Sequence, residues 1–130
     1  IGQTEAILMR HTAYDDLYTG QAFDPAEGER LNGILGKNKV LFMANHGVLT
    51  VGRSVAEAYD LLYYTERVAQ VQIYARWTGQ KLKGLPQAIV DKTMDQAGAR
   101  SPKYGGKPSY EHHFDALKRM LDRKEPDYRD

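Results

Sequence analysis

Residues 40–58 read VLFMANHGVLTVGRSVAEA and contain the pattern on which the fold of this chain depends. The run at 40–44 is apolar at every position, which is typical of a strand covered by helices on both faces of its sheet. Asn45-His46-Gly47 ends that run, and a second apolar stretch follows at 48–51. The pattern predicts two strands joined by a His-Gly bend, in an α/β layered domain.

A long helix is predicted directly after the second strand. Gly52 provides a turn, and Ser54 with Glu57 forms the S-x-x-E pattern of a capping box at a helix N-terminus. From residue 55 to about residue 77, apolar residues recur at three- and four-residue spacing, and tyrosines widen the apolar surface beyond one stripe. A helix of about 23 residues is ~35 Å long, so we expect it to span the domain and to offer a contact surface to another subunit.

The other elements are shorter, and capping residues mark several of their ends. Asp24, followed by Pro25, is the expected N-cap of one helix, and Ser109 is the expected N-cap of the last. Composition predicts a loop at 101–108. The predicted elements are a short helix at 3–9, an extended stretch at 11–14, and helices at 25–35, 86–98 and 109–123.

Composition limits the classes of function. The 130 residues include 18 basic and 17 acidic side chains, a net charge of +1, and no cysteine. A balanced and scattered charge gives no field to attract nucleic acid or an anionic membrane. The absence of cysteine excludes disulfides and thiolate metal sites and fits a reducing compartment. We therefore expect a soluble, cytoplasmic protein with no nucleic-acid or membrane partner.

The segment from Asn45 to Ala58, with its flanks, resembles the signature of the class II aldolase/adducin family. Residues 24–36 resemble the acidic-helix segment of that family, and residues 66–75 resemble the helix that follows the signature. The resemblance implies a sheet with helices on both faces, of which residues 1–130 would be the C-terminal portion of a single domain. It also implies self-association, as a homotetramer with active sites between neighbouring subunits in the full-length protein.

His46 is the candidate metal ligand. On its own, a histidine beside a strand end is more often a hydrogen-bonded structural residue than a ligand. The resemblance implies that it is one of three histidines that bind a divalent metal ion, most often zinc. The other two would come from a His-x-His pair placed before the segment that resembles Gln3-Thr4.

The chain has no His-x-His, so we expect an incomplete metal site, with two ligands and the carboxylate base upstream of residue 1. The four histidines of the chain are His11, His46, His112 and His113.

The function that the resemblance implies is that of an aldolase-like lyase. A metal ion would stabilise the enediolate formed from a hydroxycarbonyl or sugar-phosphate substrate. Aldol cleavage, epimerisation and dehydration all use that chemistry, so His46 does not choose among them, and no catalytic residue is assigned within the chain. The alternatives are a non-catalytic, adducin-like binding or scaffold protein, or a fragment without activity of its own.

The remaining histidines have simpler interpretations. His112 and His113 occupy adjacent helical positions, which point ~100° apart, so they cannot readily bind one ion together. We interpret them as surface residues, or one of them as packed against Phe114. His11 lies near Asp15 and Asp16 without a regular spacing, and we interpret that cluster as a solvated loop.

Overall fold

In the part of the chain that the structure describes, three short strands lie among helices in the first part, and the elements after the last strand are helical. The computed structural model describes residues 2–21, 23–98 and 106–129. None of the helices in those ranges is long and apolar enough to cross a membrane. The elements are α1 (Gln3–Met9), β1 (Thr12–Asp15), α2 (Pro25–Leu35), β2 (Val40–Met43), β3 (Gly47–Thr50), α3 (Val55–Trp77), α4 (Gln87–Gly98), α5 (Ser109–Lys124) and a 3₁₀ turn at Pro126–Arg129.

The sheet has the order β1-β2-β3, with β2 in the centre. β1 runs parallel to β2, and Asp15 at its end is paired with Met43. β3 runs antiparallel to β2, and its first residue, Gly47, is also paired with Met43. The His-Gly bend is therefore a hairpin turn, and it lies at the same end of the sheet as the carboxyl end of β1.

Helices cover both faces of this sheet, which confirms the predicted α/β layered architecture. Tyr14 and Phe42 share one face, where their rings stack with centroids 5.6 Å apart beside a groove lined by α1 and α3. Asp15 and Met43 share the opposite face, on which α2 lies. Val40 and Leu41, at the start of the central strand, are fully buried. The double coverage explains why the sequence of β2 is apolar on both sides.

Glu57 anchors the N-terminus of α3 to the sheet. The Ser54 hydroxyl caps the helix by accepting a hydrogen bond from the Glu57 N–H at 3.2 Å. The carboxylate of Glu57 accepts from the Arg53 N–H at 2.8 Å, so it bonds the residue before the N-cap, whereas a capping box would use the N-cap itself. It also accepts from the Lys39 ammonium, directly before β2, and is only 5 % exposed. The predicted S-x-x-E pattern thus serves as a cap and as a buried ion pair.

The predicted ends of the elements agree with the structure to within about one residue, with one correction. Ser109 is not the N-cap of α5: Pro108 holds that position, and no side chain caps the helix there. Pro108 has φ −61° and ψ 147°, an extended conformation that suits an N-cap, and its carbonyl accepts a hydrogen bond from the Glu111 N–H at 3.1 Å. Within the predicted loop at 101–108, residues 101–105 lie outside the described residues.

Gly52 is required by a close approach of α3. A Cβ added at this position would lie 2.6 Å from the Ala58 nitrogen and 2.9 Å from the Glu57 Cβ. We expect Gly52→Ala to lower the free energy of unfolding by about 2–4 kcal/mol, because the first turn of α3 must shift. Gly33→Ala is the matched control: it lies in the exposed interior of α2 with nothing within 4 Å. Its expected effect is a gain of about 0.5–1 kcal/mol, measured by urea unfolding. Equal effects of the two variants would contradict this account.

The Glu57 carboxyl group makes the free energy of unfolding depend on pH. Burial alone raises the pKa of Glu57, but hydrogen bonds from Lys39 and Arg53 outweigh it and lower the pKa to about 2. A carboxyl group with a folded pKa below its unfolded pKa stabilises the fold at higher pH, and this contribution is lost as pH falls through the folded pKa. Between pH 5 and pH 2 we expect the wild type to lose on the order of 2 kcal/mol more than Glu57→Gln. Glu29→Gln, at an exposed site, should behave as wild type. Unfolding curves at several pH values that are parallel for wild type and Glu57→Gln would refute the assignment.

Candidate functional site

His46 is presented by a tight turn between β2 and β3. The His46 N–H donates to the Met43 carbonyl at 3.2 Å, and the Ala44 N–H donates to the Asp15 carbonyl at 2.8 Å. Asn45 has φ 56°, the left-handed conformation that asparagine tolerates better than most residues. A local hydrogen bond and a bond to β1 therefore fix the backbone of the turn, and the His46 side chain is exposed at the sheet end.

The His46 side chain lines a small cleft between the sheet end and α2. Asp15, Tyr18, Glu27 and Arg30 contribute to the same cleft. Within the ranges 2–21, 23–98 and 106–129, no hydrogen-bond partner is found for the His46 imidazole. A neutral imidazole with an unused ring nitrogen can bind a metal ion or exchange a proton. His46 thus has the exposure and the free lone pair that a ligand needs.

An ion network forms the wall of this cleft. The Arg30 guanidinium donates to both oxygens of Asp15, from Nη1 at 2.9 Å and from Nη2 at 2.6 Å. It also donates to both oxygens of Glu27, from Nε at 2.8 Å and from Nη2 at 2.7 Å. Asp15 is 4 % exposed. Hydrogen bonds from Arg30 lower the pKa of Asp15 and the pKa of Glu27, so both carboxyl groups are ionised near neutral pH. Two carboxylates and one guanidinium give this wall a net negative charge.

The interpretation of the His11, Asp15 and Asp16 cluster as a solvated loop was wrong for Asp15. Asp15 ends β1 and is buried by its pairing with Arg30, whereas Asp16 is exposed. His11 lies at the other end of β1, where burial first, and then the charges of Lys39 and Arg10, lower its pKa. Fifteen residues separate Asp15 from Arg30, so no local spacing signals their contact. An acidic residue at the end of a strand, followed by the E-x-x-R pattern in the next helix, was the available clue.

His112 and His113 lie away from this cleft. His113 Nδ1 is 2.6 Å from Asp60 Oδ1, and its ring centroid is 4.8 Å from that of Tyr63 on α3. His112 is exposed on α5. His113 therefore helps to dock α5 on α3, and neither residue lines the cleft that contains His46.

The donor set in the described ranges supplies one imidazole. No group of three or more His, Cys, Asp or Glu side chains is placed to hold a metal ion among these residues. The carboxylates of Asp15 and Glu27 are already bound to Arg30. Among the described residues, the cleft therefore offers one imidazole and no complete donor set for a metal ion.

Comparison with known proteins identifies relatives of this chain. Residues 1–73 match the family described as Class II Aldolase and Adducin N-terminal domain. A protein of Pseudomonas aeruginosa named "putative aldolase class 2 protein" is 34% identical over 130 residues, which cover 99% of this chain and 49% of that protein. Alpha-adducin of Rattus norvegicus is 32% identical over 128 residues, covering 91% of this chain and 17% of that protein. The chain spans about half the length of the curated class 2 aldolase relatives that it matches.

Two solved structures of aldolase-type proteins have folds similar to that of this chain. The crystal structure of an aldolase II superfamily protein from Pseudomonas syringae matches all of this chain and 50% of its own, with a TM-score of 0.86 and 37% identity. L-fuculose 1-phosphate aldolase from Glaciozyma antarctica matches 95% of this chain and 44% of its own, with a TM-score of 0.69. At 19% identity, the second likeness concerns the fold alone.

Asn45 gives a test of the turn that presents His46. We expect Asn45→Val to lower the free energy of unfolding by about 1–2 kcal/mol or more, because a β-branched residue is strained at positive φ. Asn45→Gly is the control and should leave stability nearly unchanged, since glycine adopts this conformation without strain. Urea unfolding followed by circular dichroism measures both. An unaffected Asn45→Val variant would mean that the turn does not hold Asn45 in the left-handed region.

Proposed function

The chain belongs to the class II aldolase and adducin family, and we propose that it supplies His46 as one ligand of a divalent metal ion, most often zinc, in an aldolase-like lyase. The observation that carries the proposal is the placement of His46. The residue lies within the part that matches the family, at the tip of a turn with a fixed backbone, and its imidazole is exposed. A histidine whose ring nitrogens are both engaged in hydrogen bonds would offer no lone pair to an ion.

The surroundings of His46 support a cation at this position. The wall of the cleft has two carboxylates and one guanidinium, and its net negative charge favours a positive ion nearby. The imidazole offers a lone pair without first having to break a hydrogen bond within the described chain. When bound, such an ion supplies Lewis-acid stabilisation of the enediolate formed from a hydroxycarbonyl or sugar-phosphate substrate. In this proposal, the remaining ligands and the base are supplied by residues other than 1–130.

We also infer that residues 1–130 are the C-terminal portion of a single domain that self-associates. The chain matches about half of the length of its class 2 aldolase relatives, which supports its being a portion of a longer protein. The C-terminal half of α3 supports self-association: Tyr74 is 58 % exposed and Trp77 is 77 % exposed, and their rings lie 5.7 Å apart. Exposed aromatic clusters of this kind are typical of protein interfaces. A homotetramer of the full-length protein would bury this surface.

A second candidate function is an adducin-like binding or scaffold role. The observation that favours it is the 32% identity to alpha-adducin over 91% of this chain. A fold can persist without its chemistry, and the turn at His46 is held by backbone bonds that need no metal ion. In this reading, His46 is an exposed turn residue and the cleft is part of a binding surface.

Metal content separates the two candidates. We expect the full-length gene product to hold about one zinc ion per chain by elemental analysis, and the His46→Ala variant to lose it, because one of three imidazole ligands is removed. His112→Ala, which removes another exposed histidine, is the matched control and should retain the ion. A wild-type protein that stays metal-free in saturating zinc would favour the adducin-like role. Retention of the ion by His46→Ala would remove His46 from the ligand set.

A further inference from the structure

Arg30 already uses nearly all of its N–H donors in hydrogen bonds within the protein, and this limits its ability to bind a ligand in the cleft. Four of its five N–H groups are used, two toward Asp15 and two toward Glu27. Binding a substrate phosphate would require breaking charge-assisted hydrogen bonds of 2.6–2.9 Å. Arg30 is therefore poorly suited to bind an incoming anion, although it lies beside His46.

The network instead connects two elements that meet at the His46 turn. Arg30 and Glu27 belong to α2, whereas Asp15 is the last residue of β1. The Asp15 carboxylate also accepts a hydrogen bond from the Leu17 N–H at 3.1 Å, which fixes the chain just after the strand. The two-pronged contact with Arg30 leaves Asp15 little rotational freedom. The end of β1 is thus clamped onto α2.

The backbone of Asp15 is hydrogen-bonded to the turn that carries His46. Its carbonyl accepts a hydrogen bond from the Ala44 N–H at 2.8 Å, and Asp15 is paired with Met43 in the parallel ladder. The Met43 carbonyl in turn accepts from the His46 N–H at 3.2 Å. Two consecutive hydrogen bonds therefore connect the clamped strand end to the backbone of His46.

We propose that Asp15 and Arg30 are positioning residues for His46: by clamping the end of β1 they fix the turn that aims the imidazole into the cleft. The proposal rests on the proposed role of His46 as a metal ligand and deepens it, since it names residues that touch neither metal nor substrate. Outer-shell groups of this kind typically change metal affinity about 10–100-fold when they are altered. Arg30→Lys keeps the charge of the clamp and removes its planar fork.

The first test measures the turn directly, in the metal-free full-length protein. Hydrogen–deuterium exchange is followed in peptides that cover residues 40–50. We expect Arg30→Lys and Asp15→Asn to speed exchange in the turn about 10-fold or more, because the acceptor for the Ala44 N–H becomes mobile. Glu57→Gln is the matched control: it breaks another buried carboxylate–cation pair, outside the His46 cleft. It should speed exchange at the start of α3 and leave the turn unchanged.

The second test measures zinc affinity by competition with a chelator. We expect Arg30→Lys to weaken zinc binding about 10–100-fold while one ion per chain still binds at saturation. Glu57→Gln should keep the wild-type affinity even where it lowers the melting temperature by as much as Arg30→Lys does. A purely structural role for Arg30 would instead make the two variants alike. If Asp15→Asn does not fold, Arg30→Lys decides the result.

The two proposals can fail separately. Wild-type zinc affinity in Arg30→Lys, or unchanged exchange in the turn of both clamp variants, would overturn the positioning role while leaving His46 as a ligand. If the wild-type protein binds no zinc, the proposed function fails, and the exchange experiment alone decides whether the clamp fixes the turn.

Discussion

The buried contact between Asp15 and Arg30 is the constraint on which the candidate site depends. A carboxylate that is 4 % exposed is stable only with a partner of opposite charge and good geometry, and the guanidinium fork provides both. Removing Arg30 would leave the Asp15 carboxylate as a buried charge without its partner. The contact therefore requires α2 and the end of β1 to keep one relative position, and the turn after β2 follows from that position.

A second buried carboxylate has the same role at the opposite end of the central strand. Glu57 binds Lys39, directly before β2, and so holds the N-terminus of α3 against the sheet. One end of β2 is thereby fixed to α3 and the other to α2, on opposite faces. Among the described residues, Val40 and Leu41 are the large side chains that are fully buried. With so small a core, these polar contacts do much to fix the positions of the strand ends relative to the helices. The short hydrophobic core alone would leave the ends of a four-residue strand free to move.

The sequence predicted most of the fold because the deciding signals are local. Apolar periodicity gave the helices, Asp24 and Ser54 are the observed N-caps, and the apolar run before Asn45 gave the central strand. It also singled out His46, which the structure presents at an exposed turn. The clamp was missed because its partners are separated along the chain and meet only through the parallel pairing of β1 and β2. The misassignment of Ser109 has a local cause. Serine is a favourable N-cap residue, but the neighbouring Pro108 can take the extended backbone conformation of an N-cap, and it does so here.

The arrangement also explains how one fold can serve both branches of its family. The clamp, the turn and the left-handed Asn45 satisfy each other within this chain, so none of them requires a metal ion or a substrate. A relative that lost its other ligands would keep the same turn, because its energy comes from backbone bonds and from a buried ion pair. The same clamp that stabilises the fold therefore also sets the position of the His46 backbone, so the fold and the candidate site share one set of contacts.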